Sequence, residues 1–310
     1  MMEAMGAAIS GLEAQQTMLN TTASNLANVD TVGYKSQNTS FVDALSQTIA
    51  GGSSETAENA GSDPEQVGLG VSVGAIENNM SQGSDESTGI ATDLAIQGNG
   101  FFQVASSTAS TGGASTNDAE STPAGTSSPE LDANSIEYTR AGNFQVSPNG
   151  YLTTQSGQYV VGVPADATTG EPVNSTTGPS GTNAALPIQI PSDASDVAIG
   201  SNGEVTYSEG GTQQVAGYIQ LANFNNDAGL SRDGGSLWSA TTASGAAQTF
   251  DVPGGSSLGS VQSGELESSN VDMATEFANM IDAQNGYEAD SKVITTADQM
   301  LQTLVQMPQG

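Results

Sequence analysis

Counted in sevens from Met5, the chain sets Met5, Leu12, Leu19 and Leu26 on one helical line and Ile9, Gln16 and Ala23 on the alternate line. That spacing is an a/d stripe, and it predicts an amphipathic helix at the N-terminus. The far end repeats the pattern. Met273, Met280, Tyr287, Ile294 and Leu301 share one line, and Phe277, Gln284, Ser291, Asp298 and Val305 the other. Ser269 followed by Asp272 gives a capping-box signature before this second stripe, and Pro308 closes it. A lone amphipathic helix of this length is marginal in water, so two at opposite ends suggest that they pair as a coiled coil. On the pattern alone, packing of each helix on a globular core as an ordinary surface helix is the favoured reading. Gln284, Ser291 and Asp298 suit a wet, multi-subunit seam better than a dry core.

The first stripe ends inside "SNLANVDTVGYK", Ser24 to Lys35. Asn28, Asp30 and Gly33 leave a helix with little strain, through turns and left-handed conformations. Val29 and Val32 continue as β-formers. The stretch reads as a helix stop that redirects the chain.

Between the two helices the period changes to two. Residues 51–66 read as a polar loop, and "VGLGVSVGAIENNM" alternates as a strand. "TDLAIQGNGFFQV" reads as strand, Gly-Asn-Gly turn, strand, which predicts a hairpin. In "IEYTRAGNFQVSPNGYLTTQSGQYVVGVP" the turns "PNG" and "SGQ" separate strands. "LPIQIP", "DVAIGSNGEVTYS" and "QQVAGYIQLANF" add more, with "SNG" as a turn. Residues 105–135 and 165–185 are Ser/Thr/Gly-rich and read as polar insertions. The fold class expected is α+β: an all-β central domain of roughly ten short strands, with N- and C-terminal helices pairing as a coiled coil. The divisions expected are 1–30 plus 270–307 for the helices, 31–92 as a connector, and 93–269 as a β-rich outer domain.

Composition narrows the chemistry. The 310 residues hold 34 acids, 4 bases, no His and no Cys, for a net charge of −30. Phosphate binding needs clustered Lys and Arg, so nucleic acid is excluded as a partner, and an anionic membrane surface is disfavoured. Charged residues are only 12%, so the anomaly is loss of bases more than gain of acids. That balance suits a high-salt exterior, where repulsion is screened within about 3 Å at 1 M salt. No apolar run is long enough to span a membrane, and the N-terminus lacks the basic and apolar regions of a cleaved signal.

No catalytic constellation emerges, so the chain is read as no enzyme, with no cofactor and no metal. "NFNNDAGLSRDGG" from Asn223 faintly resembles a calcium loop, but Ala228 stands where Gly belongs and Gly234 where the bidentate Glu belongs. "GLGVSVG" and "GNG" open no helix, so they cradle no phosphate. The four bases are Lys35, Arg140, Arg232 and Lys292. They serve either as ion-pair partners at fixed joints or as leftover surface groups.

Four blocks carry a resemblance. "SNLANVDTVGYK", with Asn25, Leu26, Ala27, Asn28, Thr31, Gly33, Tyr34 and Lys35 at the motif positions, resembles the N-terminal signature of the bacterial flagellar rod and hook protein family. "DLAIQGNGFFQV" and "YTRAGNFQVSPNGYL" resemble its β-domain motifs. Leu266–Met307 resembles its C-terminal helix signature. The two insertions and the scarcity of bases depart from the family.

The resemblance implies an axial protein of the flagellum, exported without a cleaved signal by the flagellar export apparatus. It would polymerise into a hollow helical tube, the terminal helices forming the inner layer and the β domain the outer. Met5, Ile9, Leu12, Leu19, Leu26, Met273, Phe277, Met280, Tyr287, Ile294 and Leu301 would then pack between subunits. Asn25, Asn28, Thr31, Gly33, Tyr34 and Lys35 would form the connector. Partners implied are further copies of the chain and the rod, hook-cap and hook–filament junction proteins. "FVDALSQTIAGGSS" and "DPEQVGLGV" resemble the shorter hook type, so the expectation is a subunit of the extracellular hook, a flexible curved joint. A distal rod subunit is the alternative, and a secreted acidic adhesin or surface-layer protein the remote one.

Overall fold

The computed structural model describes residues 2–52, 63–107, 131–165, 186–191, 194–251, 253 and 258–306. The fold is α+β, with helix α1 (Met2–Ala27) at one end, helix α2 (Met273–Gln306) at the other, and strands between. Both stripes are helical, as their spacing predicts. Most of each expected polar insertion, 108–130 and 166–185, lies outside the described residues.

The chain divides into two compact units. One comprises 1–29, 35–79 and 271–310; the other comprises 30–34 and 80–270. The helix-bearing unit therefore also takes in part of the stretch 31–92 expected as a connector. Gln37–Asp43 pairs antiparallel with Val71–Asn78, and Ser46–Ala50 with Glu65–Gly68. Helix α1 is tied to the first of these sheets by side chains of moderate polarity. Thr21 and Thr39 hydroxyls bond at 2.8 Å, and the Val71 amide donates to Ser10 Oγ at 3.2 Å. The second ribbon is exposed along both strands. The expected loop 51–66 thus already enters a strand at Glu65.

The β unit is built on a large antiparallel sheet. Its path runs through Ser195–Ile199, Glu204–Glu209, Thr212–Ile219, Tyr159–Pro164, Phe101–Ser107, Leu131–Thr139, Leu237–Ser239 and Ser231–Gly234. Turn signals explain several of the reversals. The Ser147 amide donates to the Tyr151 carbonyl and the Gly150 amide to the Ser147 carbonyl, closing the "PNG" turn. The Gly203 amide donates to the Gly200 carbonyl, closing the "SNG" turn.

One expected hairpin is absent. Leu94–Gln97 does not pair with Phe101–Ser107 across the Gly-Asn-Gly turn. It pairs with Ser260–Ser263, more than 150 residues away in sequence. Leu94, Ala95 and Ile96 are all fully buried, so this strand is covered on both faces. Leu94 and Ile96 share the larger core cluster with Val261 of the distant strand, so the long-range pairing is made inside that core.

The core has two parts on either side of this sheet. Phe102, Val104, Leu152, Val160, Ile219, Leu221 and their neighbours form the larger. Phe101, Tyr138, Ala222, Phe224, Leu230 and Trp238 form the smaller. Phe101 and Phe102 enter opposite clusters because successive side chains on a strand point to opposite faces. Phe224 meets Tyr138 edge-on at 4.8 Å, and Phe102 meets Phe144 edge-on at 5.1 Å. No described helix is long and apolar enough to cross a membrane.

Truncating Phe102 to Ala should lower the unfolding free energy of the β unit by about 3–5 kcal/mol. Ile76→Ala, at an exposed position, should change stability by no more than about 0.5 kcal/mol. Denaturant titration checks both, tryptophan fluorescence following the first, since Trp238 lies in the β unit, and helical circular dichroism the second, since Ile76 lies in the helix-bearing unit.

Candidate functional site

Helices α1 and α2 lie side by side within their unit. Asn25 Nδ2 donates to Glu276 Oε1 at 2.8 Å. A Cβ added at Gly286 would meet Gln15 at 2.8 Å, and one at Gly11 would strike the Asp290 carboxylate. As α1 numbers fall, α2 numbers rise, so the helices are antiparallel. The residues that α1 buries are mostly small or polar: Ala8, Gly11, Ala14, Thr21, Thr22 and Asn25. Glu276, Ala283 and Ala297 are buried on α2. Small side chains let the backbones approach, and Gly11 has room for the Asp290 carboxylate only because it lacks a Cβ.

The large apolar stripes lie elsewhere. Ile9 is 46% exposed, Met273 52%, Phe277 50%, Tyr287 43% and Leu301 38%. Met5, Leu12, Leu19, Leu26, Met280 and Ile294 are only partly covered. Near the end of α2, Met300, Leu304 and Val305 are exposed as well. Sequence reasoning found the large stripe and missed the small one. The missed signal is legible afterwards: Ala8, Gly11, Gln15, Met18, Thr22 and Asn25 are themselves spaced at three and four. Hydrophobicity does not mark a line of Ala, Gly and Thr.

The helix exit is ordered by named bonds. Asn25, only 1% exposed, donates from Nδ2 to the Gln37 carbonyl at 2.8 Å and accepts the Gln37 amide at Oδ1 at 2.9 Å. Its side chain thus acts as a short strand partner to the chain after the turn. Asn28 Nδ2 donates back to the Ser24 carbonyl at 2.8 Å. The Thr31 carbonyl accepts the Tyr34 amide at 3.3 Å, closing the turn. Lys35 and Tyr34 are both buried.

Residues 30–34 belong to the β unit, and the ties there converge on Glu267. The Gly33 amide donates to the Glu267 carbonyl at 2.8 Å. Gly33 has φ +66, and a Cβ there would sit 2.5 Å from the Ala141 amide nitrogen. Only glycine meets both conditions. The Glu267 carboxylate, fully buried, accepts the Gly83 amide at 2.9 Å and faces Arg140 Nη1 at 3.4 Å. Arg140 Nη2 donates to the Gly98 carbonyl at 2.9 Å, and its guanidinium lies 5.1 Å from the centre of the Phe101 ring. Burial pushes the Arg140 pKa below its ordinary value, and the Glu267 charge opposes that shift. Arg232 stacks over Tyr34 at 4.5 Å and Trp238 at 4.9 Å. Three of the four bases are therefore built into the packing of the subunit, and Lys292 is exposed. Among the described residues no group of acids is placed to hold a metal ion.

Comparison with known proteins decides the family. Three family models match: "Flagella basal body rod protein" over residues 5–35, "Flagellar hook protein FlgE/F/G D1 domain" over 129–207, and "Flagellar basal body rod FlgEFG protein C-terminal" over 262–307. The flagellar basal-body rod protein FlgG of Bacillus subtilis is 37% identical over 309 residues, covering 99% of each chain. The chain belongs to the flagellar rod and hook protein family. FlgG of Caulobacter vibrioides is 35% identical over 310 residues, again 99% of each chain. The flagellar hook protein FlgE of Borreliella burgdorferi is 26% identical, over an alignment of 443 positions covering 99% of this chain and 100% of that one. Family members of this kind are structural proteins of the flagellum, and this chain is a structural subunit and no enzyme. The N-terminal model covers α1 and the helix exit, and the C-terminal one covers α2.

Helix α2 begins three residues later than the capping box implies. Asp272 caps it: Oδ1 accepts the Ala274 amide at 2.9 Å, and Oδ2 accepts the Thr275 hydroxyl at 3.1 Å. These bonds, the Thr275 hydroxyl first, hold the Asp272 pKa below its ordinary value. A depressed carboxylate stabilises the fold above its unfolded pKa and loses that effect as pH falls through the folded one. Amide exchange at Ala274 should therefore quicken in D272N at neutral pH, and the difference from wild type should vanish in acid.

Two further outcomes follow from the Glu267 cluster. Gly33→Ala should cost at least about 1–2 kcal/mol through left-handed strain alone. Glu267→Ala, which strands a buried guanidinium, should cost about 3–5 kcal/mol, while the E267L/R140M pair should recover most of that loss. Denaturant unfolding of the full chain measures each.

Proposed function

We propose that this chain is a subunit of the distal rod of the flagellar basal body, one of many identical copies stacked into a straight hollow shaft. The observation that carries this reading is length together with identity. Relatives named as basal-body rod proteins match from end to end at 37% and 35% with alignments of 309 and 310 residues. The hook relative needs 443 positions to accommodate the same 310 residues and falls to 26%. The expectation of an extracellular hook subunit gives way to the rod on this ground. The short stretches that suggested the hook, "FVDALSQTIAGGSS" and "DPEQVGLGV", are outweighed by this match along the whole chain.

In this reading α1 and α2 form the inner layer of the shaft as a coiled coil. The exposure of Ile9, Phe277, Tyr287 and Leu301 supports it, because burial of those side chains requires another copy. The antiparallel contact through Gly11 and Gly286 keeps the two helices of one chain together without using the large stripe. Residues 25–37 are the connector through which chain direction changes, with Asn25, Gly33, Tyr34 and Lys35 fixing its path. Neighbours along the axis would be other rod proteins and the hook, delivered by the flagellar export apparatus.

An epitope inserted between Gly210 and Gly211, an exposed hairpin tip, tests the assignment by immunogold microscopy of isolated hook–basal bodies. Gold on the straight segment within the envelope is expected. Gold along the curved external segment would overturn the rod in favour of the hook.

A further inference from the structure

The four bases of the chain are nearly all engaged inside a single subunit. Lys35 is 1% exposed and Arg140 3%, with Arg140 held against Glu267. Arg232 is flanked by Tyr34 and Trp238. Lys292, on α2, is the exposed one. Against it the two helices carry Glu3, Glu13, Glu276, Asp282, Glu288, Asp290 and Asp298. Of these, Glu13, Asp282, Glu288 and Asp298 are exposed. Asp298 lies on the same heptad line as Phe277, which is 50% exposed.

The apolar stripe and the exposed carboxylates therefore occupy the same helices. A second copy that covers the stripe brings helices of the same acidity alongside, Asp298 on the stripe line itself, and the one exposed Lys of each chain cannot neutralise them. The whole molecule, at −30, adds repulsion of the same sign. Contacts between exposed charges weaken beyond about 10 Å at 0.1 M salt and beyond about 3 Å at 1 M. Apolar burial attracts over short range, so it acts only once the longer-range repulsion has been screened.

We propose that association between copies of this chain is switched on by ionic strength, with inorganic cations of the medium supplying the countercharge that the helix faces lack. This rests on the polymerisation reading above. It adds the condition under which polymerisation occurs and names the carboxylates that impose it: Glu13, Asp282, Glu288 and Asp298.

The test is sedimentation of the purified full chain across a series of NaCl concentrations, beside the variant E13Q/D282N/E288Q/D298N. From about 0.1 M to about 2 M NaCl the sedimenting fraction of wild type should rise by roughly tenfold or more, and the variant should reach its midpoint at lower salt. Equal sedimentation of wild type at both ends overturns the proposal. So does a variant with the wild-type midpoint, because the salt effect is then ordinary salting-out of apolar surface. The variant F277S/L304S separates the underlying reading from this one. If it sediments like wild type with the same salt midpoint, the helix stripe is not the polymer contact, and both the stripe's role and this proposal fall. If it stays monomeric at every salt while wild type shows the switch, both stand.

Discussion

The buried pair of Arg140 and Glu267 is the constraint on which the β unit turns. A carboxylate with no solvent exposure requires compensation for lost hydration, and here a guanidinium and the Gly83 amide supply it. The same residue offers its backbone carbonyl to Gly33. One position in sequence therefore gathers segments from near residue 83, near residue 140 and near residue 267, together with the short piece 30–34. An apolar residue at 267 would pack, but it would carry no preference for the one arrangement in which these segments meet. Arg140 is fixed in turn by the Gly98 carbonyl and by the face of Phe101, so its fork has only one orientation.

A different balance governs the helices. Their mutual contact includes Gly11 against Asp290, Gly286 against Gln15 and the Asn25–Glu276 bond, none of which buries much apolar area. The large side chains remain half exposed on the same helices. A chain that kept its Leu, Ile and Phe residues for its own core would be stable alone and indifferent to neighbours. On these helices the buried residues are mostly small or polar while Ile9, Met273, Phe277 and Tyr287 stay exposed, which supports the proposed packing against further copies. The acidity of those helices then sets an electrostatic condition on the company.

The distinction between rod and hook shows the limit of local motifs. The family models that match the β domain and the C-terminal helix name rod and hook proteins together. The hook relative spreads the same chain over 443 aligned positions, the rod relatives over 309 and 310. Inserted length is a global property, visible when whole chains are laid together and invisible in a stretch of ten residues.

Elements whose signal is local and periodic are legible in the amino-acid sequence alone. Heptad spacing marks both helices, and Asn, Asp and Gly at the exit mark the end of the first. Period-two alternation with "PNG" and "SNG" turns marks much of the sheet. The absence of His and Cys removes most catalytic chemistry on composition alone. Pairings across long separations belong to the folded chain instead. Leu94–Gln97 reads as half of a hairpin, yet it joins Ser260–Ser263, whose Val261 lies in the same core cluster as Leu94 and Ile96. The partners of Arg140 and Gly33 also lie more than a hundred residues away, at Glu267, and no spacing announces them. The helix contact is hidden for another reason: Gly11 and Gly286 carry no hydrophobic signature, and the Asp290 and Gln15 side chains that fill the space over them come from the other helix, which only the folded pair reveals.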